Sequence, residues 1–415
     1  MNRYFNHSTS FENASAAREI ELENKMTSPR FQLYQEDHTR MYHHLPLKSI
    51  LASNYLSFAE PYLAELVSQD SLKEILCTAQ YFPGNLTSFL GFECRLTDTQ
   101  SRADWAFAIS GMGDDREVFT NLMENGNLPK QYFQQQEWKH IADFAKAWID
   151  PKSLLYHKIQ CFWFEFDMPD QLPVTLIPSV FFGPEKTTGR GDADEVSQFL
   201  SIINTTVSVL KGKRLSHSLE RQLAACIRQL PTNASIQFIG VMFSRSTNGI
   251  RLYVKRLLPK QIVPYLTSLG WSDTNGRLSS LIDELSDRAD RFVIGFDVVE
   301  EGIIPKIGIE CSFISNNFHL ETRWGELLEY LVEKNLCLPE KRDALLRYSG
   351  SENTDTFSGG IMRPLVSVSR HLDTLISSAI VRYISHIKVV YQPGHPLEAK
   401  AYPAIRLFEA APEST

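Results

Sequence analysis

The six cysteines of this 415-residue chain, Cys77, Cys94, Cys161, Cys226, Cys311 and Cys337, are scattered, and no Cys-x-x-Cys pair occurs. That excludes the usual zinc ribbons and dithiol redox motifs. Cysteines set in apolar runs read instead as reduced, buried thiols of a cytoplasmic protein. No run of about 18 apolar residues is present, so no transmembrane helix is expected. The first ten residues lack the apolar centre of a signal peptide. Positive charge is not in excess: the net charge is −7. This disfavours a surface built to coat nucleic acid, while leaving room for a local basic pocket. Phosphate loops, His-Glu-x-x-His helices and Gly-x-Ser-x-Gly elbows are all missing. Gly111-Met-Gly113 lacks the third glycine of a dinucleotide fingerprint. Asp114-Asp115 has no spaced acidic partner and reads as a helix cap. His43-His44 has no evident third metal ligand.

What is there is an ordinary globular composition, 43% hydrophobic and 22% charged. Residues 1–45 are polar and read as a leader, and 46–415 as a single domain. Five strand pairs stand out: Leu86–Arg95 with Trp105–Gly111, Ile159–Met168 with Val174–Gly183, Ser235–Ser244 with Ile250–Leu257, Arg291–Val299 with Lys306–Ile314, and His386–Gln392 with Glu398–Ile405. Asn248-Gly249 suits a tight turn in the third pair. Helical sequence lies around them. Lys48–Gln80 is periodic and interrupted at Pro61; Arg116–Asn125, Gln136–Trp148, Asp192–Gln229, Pro259–Gly270, Leu278–Ala289, Thr322–Lys334, Pro339–Tyr348 and Pro364–Ile384 follow. Ser349–Gly360 is Ser/Thr/Gly-rich and reads as a loop. The expected fold class is α+β: ten antiparallel strands closing into a barrel, with helices outside. Closure removes the exposed edges an open sheet would leave.

The strands alternate. Ile250, Leu252 and Val254 share one face; Arg251, Tyr253 and Lys255 share the other. Ile307, Ile309, Cys311 and Phe313 oppose Lys306, Gly308, Glu310 and Ser312. Phe162, Phe164 and Phe166 oppose Cys161, Trp163 and Glu165, and Lys400 shares a face with Tyr402. One such strand is what any sheet with a wet face shows, and separate α+β sandwiches would also produce it. Repetition across hairpins, with helices available to cover the apolar faces, points to a polar lumen.

That lumen would hold the cations Arg251, Lys255, Lys306, Lys388 and Lys400, the aromatics Trp105, Trp163, Tyr253 and Tyr402, and the carboxylates Glu93, Glu165 and Glu310. Cations converging from several strands suit a multiply charged anion such as a diphosphate. Aromatic faces can shield a carbocation, and one carboxylate can take the proton of an attacked ring. The alternatives are ion pairs within the lumen, such as Glu93 with a neighbour like Arg95 or Glu310 with Lys306 or another lumen cation, and ordinary cross-strand packing of the tyrosines.

Five helix-flanked antiparallel pairs with inward Lys/Arg-x-Tyr motifs resemble the ABBA-type, or PT-barrel, aromatic prenyltransferases, in particular the dimethylallyltryptophan synthase branch. The resemblance spans about Leu86 to Ile405 and rests on Gly-Phe-Glu93, Phe166-Asp167, Arg251-Leu-Tyr253 and Lys400-Ala-Tyr402. It implies transfer of an allylic, dimethylallyl-like group from its diphosphate to an aromatic small molecule or peptide such as an indole, in a natural-product pathway, with no essential metal or other cofactor. It implies Glu93 as the catalytic base, the five cations as diphosphate ligands, and Trp105, Trp163, Tyr253 and Tyr402 as shield or acceptor pocket. The chain departs from the family at Ser179 and Phe181, where Lys and Tyr are expected, at Trp105, near an expected arginine, and at Lys306-Ile-Gly308, which lacks a tyrosine. The diphosphate clamp is therefore thinned. The other reading of this pattern is a non-catalytic or repurposed barrel, binding a hydrophobic or peptidic ligand as a biosynthetic accessory protein.

Overall fold

Ten strands pair in a ring. In the order of the chain they are β1 (Phe89–Arg95), β2 (Ala103–Ser110), β3 (Ile159–Phe166), β4 (Ser179–Pro184), β5 (Ser235–Val241), β6 (Ile250–Lys255), β7 (Arg291–Val299), β8 (Ile307–Ser312), β9 (Ser378–Tyr391) and β10 (Glu398–Glu409). Each pairs antiparallel with the next, and β10 pairs with β1, closing the barrel. The closed ring excludes separate sandwiches and gives the helix-wrapped ABBA barrel architecture expected from the sequence. In this computed structural model the described residues are 51–84, 89–111, 114–124, 128–169, 173, 175–185, 193–245, 248–273, 275–315, 318–353 and 378–409. The polar leader 1–45, His43-His44 and Gly111-Met-Gly113 beyond its first residue lie outside them.

Helices flank the strand pairs. The first region splits into Ala52–Ala59 and Gln69–Ala79, with a short 3₁₀ turn at Glu60–Tyr62 containing Pro61. Then come Asp115–Glu124, Gln136–Ile149, Ala193–Lys211, His217–Arg228, Pro259–Ser268, Arg277–Ser286, Trp324–Glu333 and Pro339–Tyr348. Their starts carry local signals. Ser68 and Ser216 accept backbone N–H bonds from Ser71 and Leu219, and Pro259 and Pro339 occupy first helical positions, where no N–H is required.

The main core lies between the barrel's outer wall and these helices. Phe107 on β2 and Phe162, Phe164 and Phe166 on β3 are fully buried there with Trp138, Trp148, Phe144 and Phe82. Phe144 stacks on Phe162 with centroids 4.3 Å apart, and Phe107 on Phe164 at 4.9 Å. The Phe-x-Phe-x-Phe alternation of β3 thus binds helices outward and leaves Cys161, Trp163 and Glu165 inward.

Two expectations fail in the last quarter. Residues 378–384, expected as the end of a helix, form the first half of β9, a 14-residue strand. Within it Ile380, Arg382 and Ile384 alternate outward. Arg382 is buried with its guanidinium 3.4 Å from the centroid of Tyr62, and its Nε donates to the Tyr348 carbonyl. Gly350–Asn353, expected within a loop, pairs with β9 from Arg382 back to Ala379. Residues 364–377 are outside the described part. In the third hairpin β5 stops at Val241, three residues short of the expected Ser244; of the expected turn, residues 246 and 247 lie outside the described part.

Candidate functional site

Strand register decides what faces the lumen. Glu93 on β1 lies opposite Asp104 on β2, and Arg95 opposite Lys400 on β10. Lys400 pairs across to Lys388 on β9, and Lys388 to Glu310 on β8. Arg251 on β6 lies between Gly240 and Asp297. Most of these positions share one mouth of the barrel, because they lie at the ends of β1, β7 and β9 and near the starts of β2, β6 and β10; Glu310 lies midway along β8. Toward the other mouth the inward residues turn apolar. One cluster there joins Phe89, Ala108, Val381, Tyr383 and Ala404 with Trp163 and Phe318; a second joins Trp163, Phe238 and Val293 to Phe181, Met242 and Tyr253 and reaches back to the level of Arg251, because Phe181 pairs with Gly240 and Gly240 with Arg251. The lumen is therefore polar at one end and aromatic at the other.

Glu93 is the centre of the polar half. It is buried, accepts a hydrogen bond from Lys400 Nζ, and accepts another from Tyr402 Oη at 2.5 Å. Burial would raise its pKa. The Lys400 and Lys388 ammonium charges and the two hydrogen bonds override that and hold the carboxyl well below its usual range. Glu93 is thus a fixed anion. Tyr402, buried beside it, stays a protonated phenol.

Around Glu93 the charges are matched. Arg251 forms a two-pronged pair with Asp297, at 2.7 and 2.8 Å. Lys388 donates to Tyr253 Oη at 3.0 Å and lies 3.4 Å from Glu310. Arg95 bonds Asp104 at 2.9 Å. Burial and the neighbouring Glu93 charge push Asp104 up to about 7, against the pull of Arg95. Arg245, just beyond β5, grips Asp167 at 2.6 and 2.9 Å and Glu165 at 2.7 Å; Ser244 also donates to Asp167. The tyrosine and lysine fit closely because small residues face them. A Cβ on Gly295 would lie 2.7 Å from the Tyr253 ring, and one on Gly308 would lie 2.6 Å from Lys388 Cε. Those two glycines make room for the side chains that line the cavity.

The structure brings together Glu93, Arg251, Tyr253, Lys388, Lys400 and Tyr402. It separates the rest. Trp105 is on the opposite face of β2, fully buried in the outer core and stacked on Phe166 with centroids 4.7 Å apart. Its neighbour Asp104 takes the lumen position, because successive side chains alternate across the wall. Lys306 is exposed, ahead of the first residue of β8, and Glu310 pairs with Lys388 rather than with it. Glu93 likewise pairs with Lys400, and Arg95 with Asp104. Lys255 faces inward but sits opposite Ser235, near Cys161, in the aromatic half. Four residues of strand put it about 13 Å from Arg251. Trp163 lies there too, its ring 4.8 Å from Phe89 and 5.4 Å from Phe238.

Residues not picked out from the sequence complete the polar half: Asp104, Arg245, Asp297 and His386. Asp297 shared the inward parity of Gly295 and was open to the same alternation argument. Arg245 lies in a connecting segment with no periodicity to place it, and His386 is aimed by a bulge. Among the described residues no cluster of three or more His, Cys, Asp or Glu is placed to hold a metal ion. No helix among them is long and apolar enough to cross a membrane.

No protein-family model and no curated protein matches the chain. Solved structures of similar fold include "Prenyltransferase PriB Apo Form", at 9% identity over 85% of this chain and 94% of that one, with a TM-score of 0.47. Another is AnaPT from Neosartorya fischeri, at 11% identity over 87% and 92% of the two chains, with a TM-score of 0.46. Likeness at that level says nothing of the reaction, which has to be argued from the lumen itself.

Proposed function

We propose that this barrel transfers an allylic group, of dimethylallyl size, from its diphosphate to an electron-rich aromatic acceptor such as an indole. The observation that carries the reading is the Glu93 centre: a buried carboxylate kept ionised by Lys400, Lys388 and Tyr402, at the junction of a polar and an aromatic half-lumen. The two halves suit the two parts of an allylic diphosphate. Its charged head meets Arg251, Lys388 and Lys400; its hydrocarbon meets Tyr253, Trp163 and Phe181. Ionisation leaves a carbocation whose positive charge is stabilised by the aromatic faces. Glu93 accepts the N–H or O–H hydrogen bond of the acceptor and so raises the electron density of its ring.

The head group has to take cations that already hold carboxylates. Lys400 is shared between Glu93 and the incoming diphosphate, and Lys388 between Glu310 and the same ligand. As those ammonium groups turn to the diphosphate, Glu93 loses the charges that keep it acidic and becomes more basic when the donor is bound.

Calorimetric titration with dimethylallyl diphosphate, with inorganic pyrophosphate and with the non-ionising thio-analogue tests the reading, with and without magnesium. Micromolar binding that weakens by tenfold or more in Lys400→Ala and Arg251→Ala is expected, about 1.4 kcal/mol or more per lost charge contact. Glu93→Gln is expected to keep donor binding and lower turnover by about a hundredfold. Folded protein that ignores all three diphosphates sinks the transferase.

The matched ion pairs favour a second reading. With Arg251, Arg245, Lys388, Lys400 and Arg95 each against a carboxylate, the same lumen suits an uncharged amphipathic or peptidic ligand, held without chemistry. Binding of such a ligand by a protein indifferent to pyrophosphate is the result that would select it.

A further inference from the structure

One imidazole inside the barrel takes no part in the hydrogen-bonded ion pairs. His386 sits where β9 carries an extra residue: Ile384 pairs with Pro403 and Ile387 with Ala401, so Ser385 and His386 together face Tyr402. Such a bulge breaks the two-residue alternation and re-aims a side chain. His386 therefore joins Lys388 inside the lumen. Its ring stacks on Tyr402, with centroids 4.0 Å apart and planes 19° from parallel. Nδ1 lies 3.2 Å from Ser385 Oγ. Nε2 is buried with no hydrogen-bond partner, and Glu310 Oε1 is 3.8 Å away. An unsatisfied buried polar atom costs on the order of 1–3 kcal/mol. A molecule bound in the lumen that reaches Nε2 would supply the partner and remove that cost.

We propose that Nε2 of His386 removes the proton from the acceptor carbon that has just bonded to the allylic group. The inference rests on the transferase reading above. Diphosphate departs with the electron pair of the carbon–oxygen bond, and attack of the ring on the allylic cation forms the carbon–carbon bond. The attacked carbon is now tetrahedral and still holds its hydrogen, while the rest of the ring carries the positive charge. That C–H bond breaks, its electrons restore aromaticity, and the proton passes to Nε2. The resulting imidazolium has Glu310 as its counter-charge. Glu93, fixed as an anion at the hydroxyl of Tyr402, keeps the acceptor's N–H.

The surroundings suit this division of roles. Facing His386 are Glu310 from β8, Lys388 on its own strand, Tyr402 from β10, and Glu93 from β1. Burial, aided by Lys388, holds the imidazole below its ordinary value, while Glu310 and Glu93 pull the other way. The ring is neutral at pH 7 and able to accept a proton, which the strongly acidic Glu93 of the resting site is not.

The deciding experiment compares wild type with His386→Gln and His386→Asn in two reactions of the full chain: solvolysis of dimethylallyl diphosphate by water, and carbon prenylation of an indole panel. Solvolysis requires donor ionisation but no proton from a ring carbon. Expected are thermal midpoints and solvolysis rates near wild type, KM values for both substrates within threefold, and kcat for carbon prenylation lower by about a hundredfold. Wild-type kcat should fall on acidification as His386 takes a proton, and this acid limb should vanish in both variants. Unchanged prenylation, an unchanged acid limb, or solvolysis lost in parallel would each overturn the proposal. Wild type that solvolyses the donor yet prenylates only nitrogen or oxygen removes the role of His386 and leaves the transferase. Wild type that does neither removes both.

Discussion

Trp105→Ala should cost about 3–5 kcal/mol of stability, the range for removing a fully buried large aromatic, and leave diphosphate binding unchanged. The residue fills the space between β2 and the outer helices, against Phe166, Phe107 and Phe82, and touches none of the lumen groups named above. Its indole nitrogen has no hydrogen-bond partner. Trp105→Phe therefore removes an unsatisfied donor as well as some volume, and the loss should be small by comparison. Chemical denaturation of the three proteins measures both. A Trp105→Ala variant of wild-type stability that has lost ligand binding would return Trp105 to the lumen.

The second large effect is at Arg245. Arg245→Met leaves Asp167 and Glu165 facing each other without a cation. Removing one partner of a buried pair costs about 3–5 kcal/mol. This arginine is a third open to water, 33% exposed, so about 2–4 kcal/mol is expected. The pH dependence has a definite sign. Burial would raise the pKa of Asp167, but the hydrogen bond and charge of Arg245 hold it below its ordinary value. A depressed carboxylate contributes stability above its unfolded pKa and loses it as pH falls through the folded one. The wild type thus gives up this contribution in acid. The variant's unpaired carboxylates relieve their repulsion by taking protons. The gap between the two should be widest near pH 8 and should close below about pH 5. A gap constant with pH would mean that the arginine acts through packing alone.

The barrel was legible because its strands obey a two-residue period while its helices do not. Arg251-Leu-Tyr253 and Lys400-Ala-Tyr402 could be placed inward from alternation alone, and both pairs are there. Alternation sets only parity, however, and β2 has the opposite phase to the one expected, with Asp104 inward and Trp105 outward. Trp105 and Asp104 exchange roles on a shift of one residue, and a buried aspartate is the less expected occupant of a wall. Where the period itself breaks, no phase can be read. The β9 bulge hides His386, and the connection after β5 hides Arg245. Partner choice was equally hidden. Glu93 stands two residues from Arg95, yet its cation comes from the far end of the chain, since Arg95 is taken by Asp104. The helix expected through Ile384 failed for a simpler reason. Its β-branched and aromatic residues fit a strand as well as a helix, and pairing with Glu398–Glu409 decided between them.

Glu93 and Lys400 are 307 positions apart in the chain. They belong to the first and the last strands of the barrel, which are neighbours in the ring. A ribosome delivers the carboxylate 307 residues before its counter-ion. Until β10 arrives, β1 and β9 are bare edges flanking an acidic groove, a state of high contact order that folds slowly and that other chains can cap. The seam between first and last strands then makes the charge centre a seal on synthesis: an incompletely translated chain can build most of the wall and nearly every outer helix, and still contain no site.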